Sequence, residues 1–190
     1  MEQQYPVLIV IIPMFTAMIL TLAGWFKPAV CQPLAVVGLL GSFLSALATL
    51  TKVSAGGVIS YRLGGWEPPF GIEYRVDGLN ALVLVMVSFV ALLVAVFASK
   101  SVEKELGSKI SNFYTLFVLL VTGLLGMTIT GDAFNLYVLL EIAALTSYAL
   151  LAMGRGRAYM ATFNYIILGT IGACFYLLGV GLLLIKTGSL

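Results

Sequence analysis

The sequence predicts an all-α polytopic membrane protein: about six transmembrane helices, with a short extracytoplasmic β-hairpin between helices 2 and 3. Three observations carry this reading. Of the 190 residues, 61% are hydrophobic and 9% charged, whereas a soluble domain carries about a quarter charged residues. A water-soluble fold of this size still exposes about a quarter to a third of its chain surface, too much to hide that apolar content. The apolar residues also fall in six continuous windows, each long enough for a hydrocarbon core that takes about 20 residues of helix. A barrel would show alternating segments of about ten residues instead. The net charge of +2 is too small and too dispersed for a surface that tracks phosphates. The expected surroundings are therefore the lipid bilayer and other membrane chains, with no nucleic acid.

The first window is Pro6–Trp25. It follows a segment that holds Glu2 and no Lys or Arg, so the positive region of a signal peptide is missing and it reads as a mature span. The second is Ala29–Leu50. Pro13 and Pro33 lie in these two windows; near a helix start a proline is tolerated, and deeper it kinks. Thr51–Asp77 is the one long connection. Its segments 58–63 and 72–76 alternate in period two around the Gly/Pro-rich 64–71, which reads as a β-hairpin. A lid over an exit path and a clasp to a neighbouring subunit are its two readings. The third window is Gly78–Ala98. Ser99–Ser111, with Lys100, Glu103, Lys104, Glu105 and Lys109, reads as a solvated cytoplasmic connector with room for a helical turn. Asn112–Thr130 is the fourth window, and its Gly123 and Gly126 admit a close neighbour. Asp132 is the expected N-cap of the fifth, Phe134–Ala152. The sixth is Ala161–Ile185, where Gly169, Gly172 and Ala173 again allow close helix approach.

Orientation follows from the cations near the span ends. Lys27, Lys100, Lys104, Lys109, Arg155 and Arg157 share one side. Lys52, Arg62, Arg75 and Lys186 share the other with Glu2, Glu67, Glu73, Asp77 and Asp132. The first side is predicted to be cytoplasmic, with both termini outside a prokaryotic plasma membrane. There is no histidine, and Cys31 and Cys174 stand alone in or beside apolar windows, where they read as small buried residues. No metal or cofactor site is therefore expected.

One residue demands explanation. Seven of the eight acids lie in tails, loops or span ends; Glu141 lies two residues from the centre of the fifth window, about 3 Å along the axis. An acid at that depth costs on the order of 2.5–3.5 kcal/mol. It can exchange a proton if water reaches it. Its helix face carries Tyr137, Ala144, Leu145 and Tyr148, two phenols and a small residue suited to a narrow, partly wet seam. No window contains a Lys or Arg, so a charged partner is expected from another chain. The competing reading is a protonated Glu hydrogen-bonded between helices.

Two stretches carry a family resemblance. Gly131-Asp132-Ala133-Phe134-Asn135-Leu136-Tyr137-Val138-Leu139-Leu140-Glu141, followed by Thr146-Ser147-Tyr148-Ala149-Leu150, resembles the fifth-helix signature of antiporter-like membrane subunits. Such subunits occur in Mrp-type cation/proton antiporters, energy-converting membrane-bound hydrogenases and respiratory complex I. Residues 65–74 and 76–79 resemble the hairpin and third-helix start of the D-type branch of the Mrp antiporter subunits. The resemblance spans essentially the whole chain. It implies a helical subunit that passes protons, or exchanges them for sodium, along a polar axis at mid-membrane, with Glu141 as the fifth-helix glutamate and a lysine on the next-but-one helix as its partner. It also implies about fourteen helices with two inverted five-helix repeats. The chain ends where such a subunit would continue into its seventh helix.

The resulting expectation is the N-terminal part of an antiporter-like subunit: residues 1–111 as a three-helix segment with the hairpin, and 112–190 as the first three helices of an incomplete repeat. It would contribute Glu141, with Tyr137 and Tyr148 beside it, to a proton or Na+/H+ pathway in a multisubunit complex. The chain itself shows no redox or hydrolytic motif; the parent complex could be an ion-pumping oxidoreductase or an antiporter. The rival is a membrane scaffold with no conduction of its own, and a quinone-reducing enzyme stands third.

Overall fold

The structure, a computed structural model, describes residues 4–66, 71–154 and 156–188, apart from the side chain of Ser108. Glu2, the hairpin-tip residues Glu67, Pro68, Pro69 and Phe70, and Arg155 lie outside the described residues. Six helices alternate in direction: α1 (Tyr5–Phe26), α2 (Cys31–Gly56), α3 (Gly78–Leu106), α4 (Ile110–Ile129), α5 (Ala133–Ala152) and α6 (Ala158–Thr187). All six are long and apolar enough to cross a membrane. Between α2 and α3, strands β1 (Ile59–Arg62) and β2 (Glu73–Val76) pair antiparallel, Ile59 opposite Val76 and Arg62 opposite Glu73. The start of their connection holds Gly64 and Gly65 at φ of 66° and 78°, a region that costs a side-chain-bearing residue energy.

Most helix ends lie beyond the apolar windows. α2 continues to Gly56, and α3 runs eight residues past Ala98 to Leu106. Much of the expected 99–111 connector is therefore helix. Hydropathy measures the part of a helix that meets lipid, whereas Val102, Glu103, Lys104, Glu105 and Leu106 extend the same hydrogen-bond ladder into water. Among these, Glu, Lys and Leu are good helix formers.

The core lies among α1, α2, α3 and α4, where Ile9, Leu20, Leu39, Leu84, Val118 and Leu125 are all buried. Pro13 is buried within α1 and cannot donate to the Ile9 carbonyl four residues back. α2 supplies the missing donor: the Ser42 hydroxyl donates to Ile9 O at 2.7 Å, with both residues fully buried. An unsatisfied buried carbonyl would cost about 1–3 kcal/mol, so this bond ties α1 to α2 at a fixed height. Gly38 sits directly against the Thr16 side chain, leaving no room for a Cβ.

α5 joins this body through α4. A Cβ on Gly123 would lie 2.9 Å from the Ala143 backbone nitrogen, and one on Gly126 would strike the Leu139 side chain. The close approach expected of both glycines is present. α6 packs chiefly on α5, and only Thr162, Ala173 and Val180 of its 30 residues are buried. Gly169 meets the Tyr148 hydroxyl, whereas a Cβ on Gly172 would touch nothing within 4 Å.

The hairpin clasps its own chain. The Gly131 N–H donates to Glu73 O at 2.9 Å, and Tyr74 bridges Thr130. β2 thereby covers the α4–α5 corner, with Tyr74 and Val76 buried.

Candidate functional site: the α5–α6 seam

The start of α5 is built by a polar network. Asp132 caps the helix as expected, its carboxylate accepting from the Asn135 N–H. The Asn135 amide donates to the Thr130 hydroxyl at 2.8 Å. The Asn135 side chain also hydrogen-bonds Tyr74. Burial pushes the Tyr74 phenol above its ordinary range, and the bond to Asn135 partly offsets that. Three elements therefore fix where α5 begins, and with it the height of Glu141.

Glu141 lies just before the midpoint of α5. At 100° per residue it points about 160–200° away from Leu139 and Ala143, the residues that pack against α4. Its face is the one that carries the aromatic contacts to α6. Tyr137 stacks on Tyr176 with ring centroids 6.3 Å apart and planes 10° from parallel. Tyr148 meets Tyr165 edge-on at 4.9 Å. The Tyr176 hydroxyl donates to Ala133 O at 3.1 Å, latching α6 to the first turn of α5.

The two pairs define the register. Eleven residues separate Tyr137 from Tyr148, and eleven separate Tyr165 from Tyr176, so the antiparallel helices match over three turns, about 16 Å. In that register Gly172 lies level with Glu141. The seam thus has tyrosines at both ends, an acid on α5 between them, and on α6 a glycine with open space before it.

In this chain Glu141 is partly exposed; the enclosure expected from its depth in the span is not supplied by these six helices. Residues that follow it around α5, Val138 and Leu145, are exposed, so Glu141 stands at the border between the seam and an open stripe. No Lys or Arg occurs in α5 or in residues 158–185 of α6. Among the described residues, no group of His, Cys, Asp and Glu is arranged to hold a metal ion. Cys31 is buried and Cys174 is exposed on α6, which corrects the expectation that both are buried: α6 has too little around it to cover that face. Reasoning from sequence missed Tyr165 and Tyr176. The repeated eleven-residue spacing was the signal for them.

These features define a multi-pass helical membrane protein with an acid half-way along its fifth span. Comparison with known proteins narrows the class. No protein-family model matches the chain. The NADH-quinone oxidoreductase N subunit of Desulforudis audaxviator is 42% identical over 191 residues, covering all of this chain and 38% of that protein. The Na(+)/H(+) antiporter D subunit of Bacillus subtilis is 30% identical over 152 residues, 80% of this chain and 30% of that protein. Among solved structures, a chain of the archaeal membrane-bound sulfane sulfur reductase superposes with a TM-score of 0.91 at 34% identity, over 98% of this chain and 38% of that one. A chain of the Mrp complex from Dietzia sp. gives 0.86 at 28% identity, over 99% of this chain and 35% of that one. The chain belongs with the antiporter-like membrane subunits and corresponds to their N-terminal part. It spans less than two fifths of the length of these relatives.

Proposed function

We propose that this chain is part of a membrane subunit of a multisubunit ion-translocating complex, and that Glu141 is a station on its proton or Na+/H+ pathway. The observation that carries the reading is a partly exposed acid near the middle of α5, on the face that carries the tyrosine contacts to α6. An acid at mid-span is costly unless paired or solvated, and Glu141 is left partly exposed by these six helices, where water, a cation or a basic side chain from another helix can reach it. A basic side chain from another membrane helix would complete the pair. Tyr137 and Tyr148 are well placed to donate hydrogen bonds to water in the seam. The names of the relatives, subunits of an antiporter and of a quinone oxidoreductase, support the ion-translocating class. On the same reading, residues 1–111 form the N-terminal segment and 112–190 open an antiporter-like repeat. The side carrying Lys27, Lys100, Lys104, Lys109 and Arg157 faces the cytoplasm, with both termini outside.

The test is Glu141→Gln in the assembled complex, reconstituted in vesicles with a pH-sensitive dye inside. The exchange removes the titratable group and keeps the shape. Loss of at least about tenfold in proton or sodium transport, with normal assembly, is the expected result; about 1.4 kcal/mol corresponds to each factor of ten. Unchanged transport would assign the chain to the scaffold class.

A further inference from the structure

We infer that the crevice between α3 and α4 binds an anionic phospholipid of the leaflet opposite the hairpin. Its apolar part, about 410 Å³, has a floor formed by Ala91 and Val121 and walls from Met86, Val90, Phe117 and Leu124. Ala91 and Val121 are buried, while Met86 and Val90 are more than half exposed. The crevice exists because α3 presents a methyl group at Ala91 where a longer side chain would fill the gap.

Beyond the crevice, at the end of α3, lies a second groove of about 580 Å³ with a different lining, in which Ser101, Lys104 and Glu105 lie beside Phe113, Leu150 and Met153. A third space of about 430 Å³, also lined by Glu105, brings in Lys109 and Tyr159. Phe113 of the polar groove stacks on Phe117 of the apolar one, planes 3° from parallel and centroids 6.0 Å apart, so the two linings touch along α4.

Length and charge select the occupant. Met86 to Ser101 spans fifteen residues of helix, about 22 Å. Half of a bilayer including headgroups is about 20–22 Å, so the feature covers one leaflet from midplane to surface. A transmembrane helix from a partner would continue past the midplane and would bring apolar side chains to Lys104 and Lys109. A phospholipid instead lays an acyl chain on Ala91 and Val121 and places its phosphate between two ammonium groups, with one acid, Glu105, nearby. Among the described residues, the two polar spaces together carry Lys104 and Lys109 against Glu105, which favours a headgroup with net negative charge.

Native mass spectrometry of the full chain in detergent, titrated with phosphatidylglycerol or phosphatidylcholine, tests this. Phosphatidylglycerol should be retained more tightly. Each of Lys104→Gln and Lys109→Gln should weaken its retention about fivefold, the effect of one cation at a membrane surface. Val90→Trp, at an exposed wall position, should reduce retention of both lipids by blocking the acyl slot. Equal retention of the two lipids, or retention unchanged in both the lysine variants and Val90→Trp, would overturn the inference. So would a cross-link from position 90 in the native membrane to another protein in place of lipid.

Discussion

The α1–α4 body and the α5–α6 pair are made of similarly apolar helices, yet they are finished to different degrees. In the first, helices contact on several sides, Ser42 answers the carbonyl freed by Pro13, and Gly38 receives Thr16, while the buried Tyr114 and Thr115 hydroxyls of α4 make no hydrogen bond among the described residues. In the second, α6 meets the rest of the chain along one face and leaves Gly172 facing space. Apolar content cannot distinguish the two, because lipid accepts an apolar surface as readily as a neighbouring helix does. Small and polar residues do distinguish them. In α1–α4 a small or polar residue fixes how two helices meet; in α5–α6 a partly exposed acid and a glycine with open space before it stand at the same height.

That contrast can be broken by substitution, and the largest effect should fall where α4 meets α5. Gly123→Leu drives a side chain into the Ala143 backbone and should destabilise the chain by about 3 kcal/mol, read as a fall in thermal midpoint in detergent. Next is Ser42→Ala, which strands the Ile9 carbonyl and should cost about 2 kcal/mol. Adding Pro13→Ala restores an N–H for that carbonyl, so the double variant should recover much of the loss; additive losses would show that the bond is incidental. Asp132→Ala removes the α5 cap and should cost about 1 kcal/mol, with faster hydrogen exchange at the first turn of α5. The smallest effect on stability is predicted for Gly172→Leu, within about 0.5 kcal/mol of the native chain, because Gly172 is exposed and a Cβ there meets nothing within 4 Å. In the assembled complex the same substitution should fill the space beside Glu141 and lower ion transport.

Much of this was legible from the residues. Six windows became six helices, the alternation around Gly64–Gly71 became a hairpin, and Asp132 caps α5. The glycines of α4 pack as expected. What hydropathy could not give was where helices end in water, as at Val102–Leu106, since helix formation there owes nothing to lipid. Nor could it show that Ser42 completes the Pro13 turn, because their meeting depends on the height at which α1 and α2 pack. The depth of Glu141 was readable by counting; its degree of enclosure was not. Depth is a property of one helix, and enclosure depends on every helix around it.

The role of Glu141 depends on what stands beside it once the complex is assembled. An experimental structure of the intact complex from native membranes tests this directly. The predicted result is a further membrane helix covering the stripe of Val138 and Leu145, with a Lys or Arg nitrogen within about 4 Å of the Glu141 carboxylate or joined to it through one water. Lipid acyl chains against that stripe, with neither water nor a cation reaching Glu141 across Gly172, would contradict it.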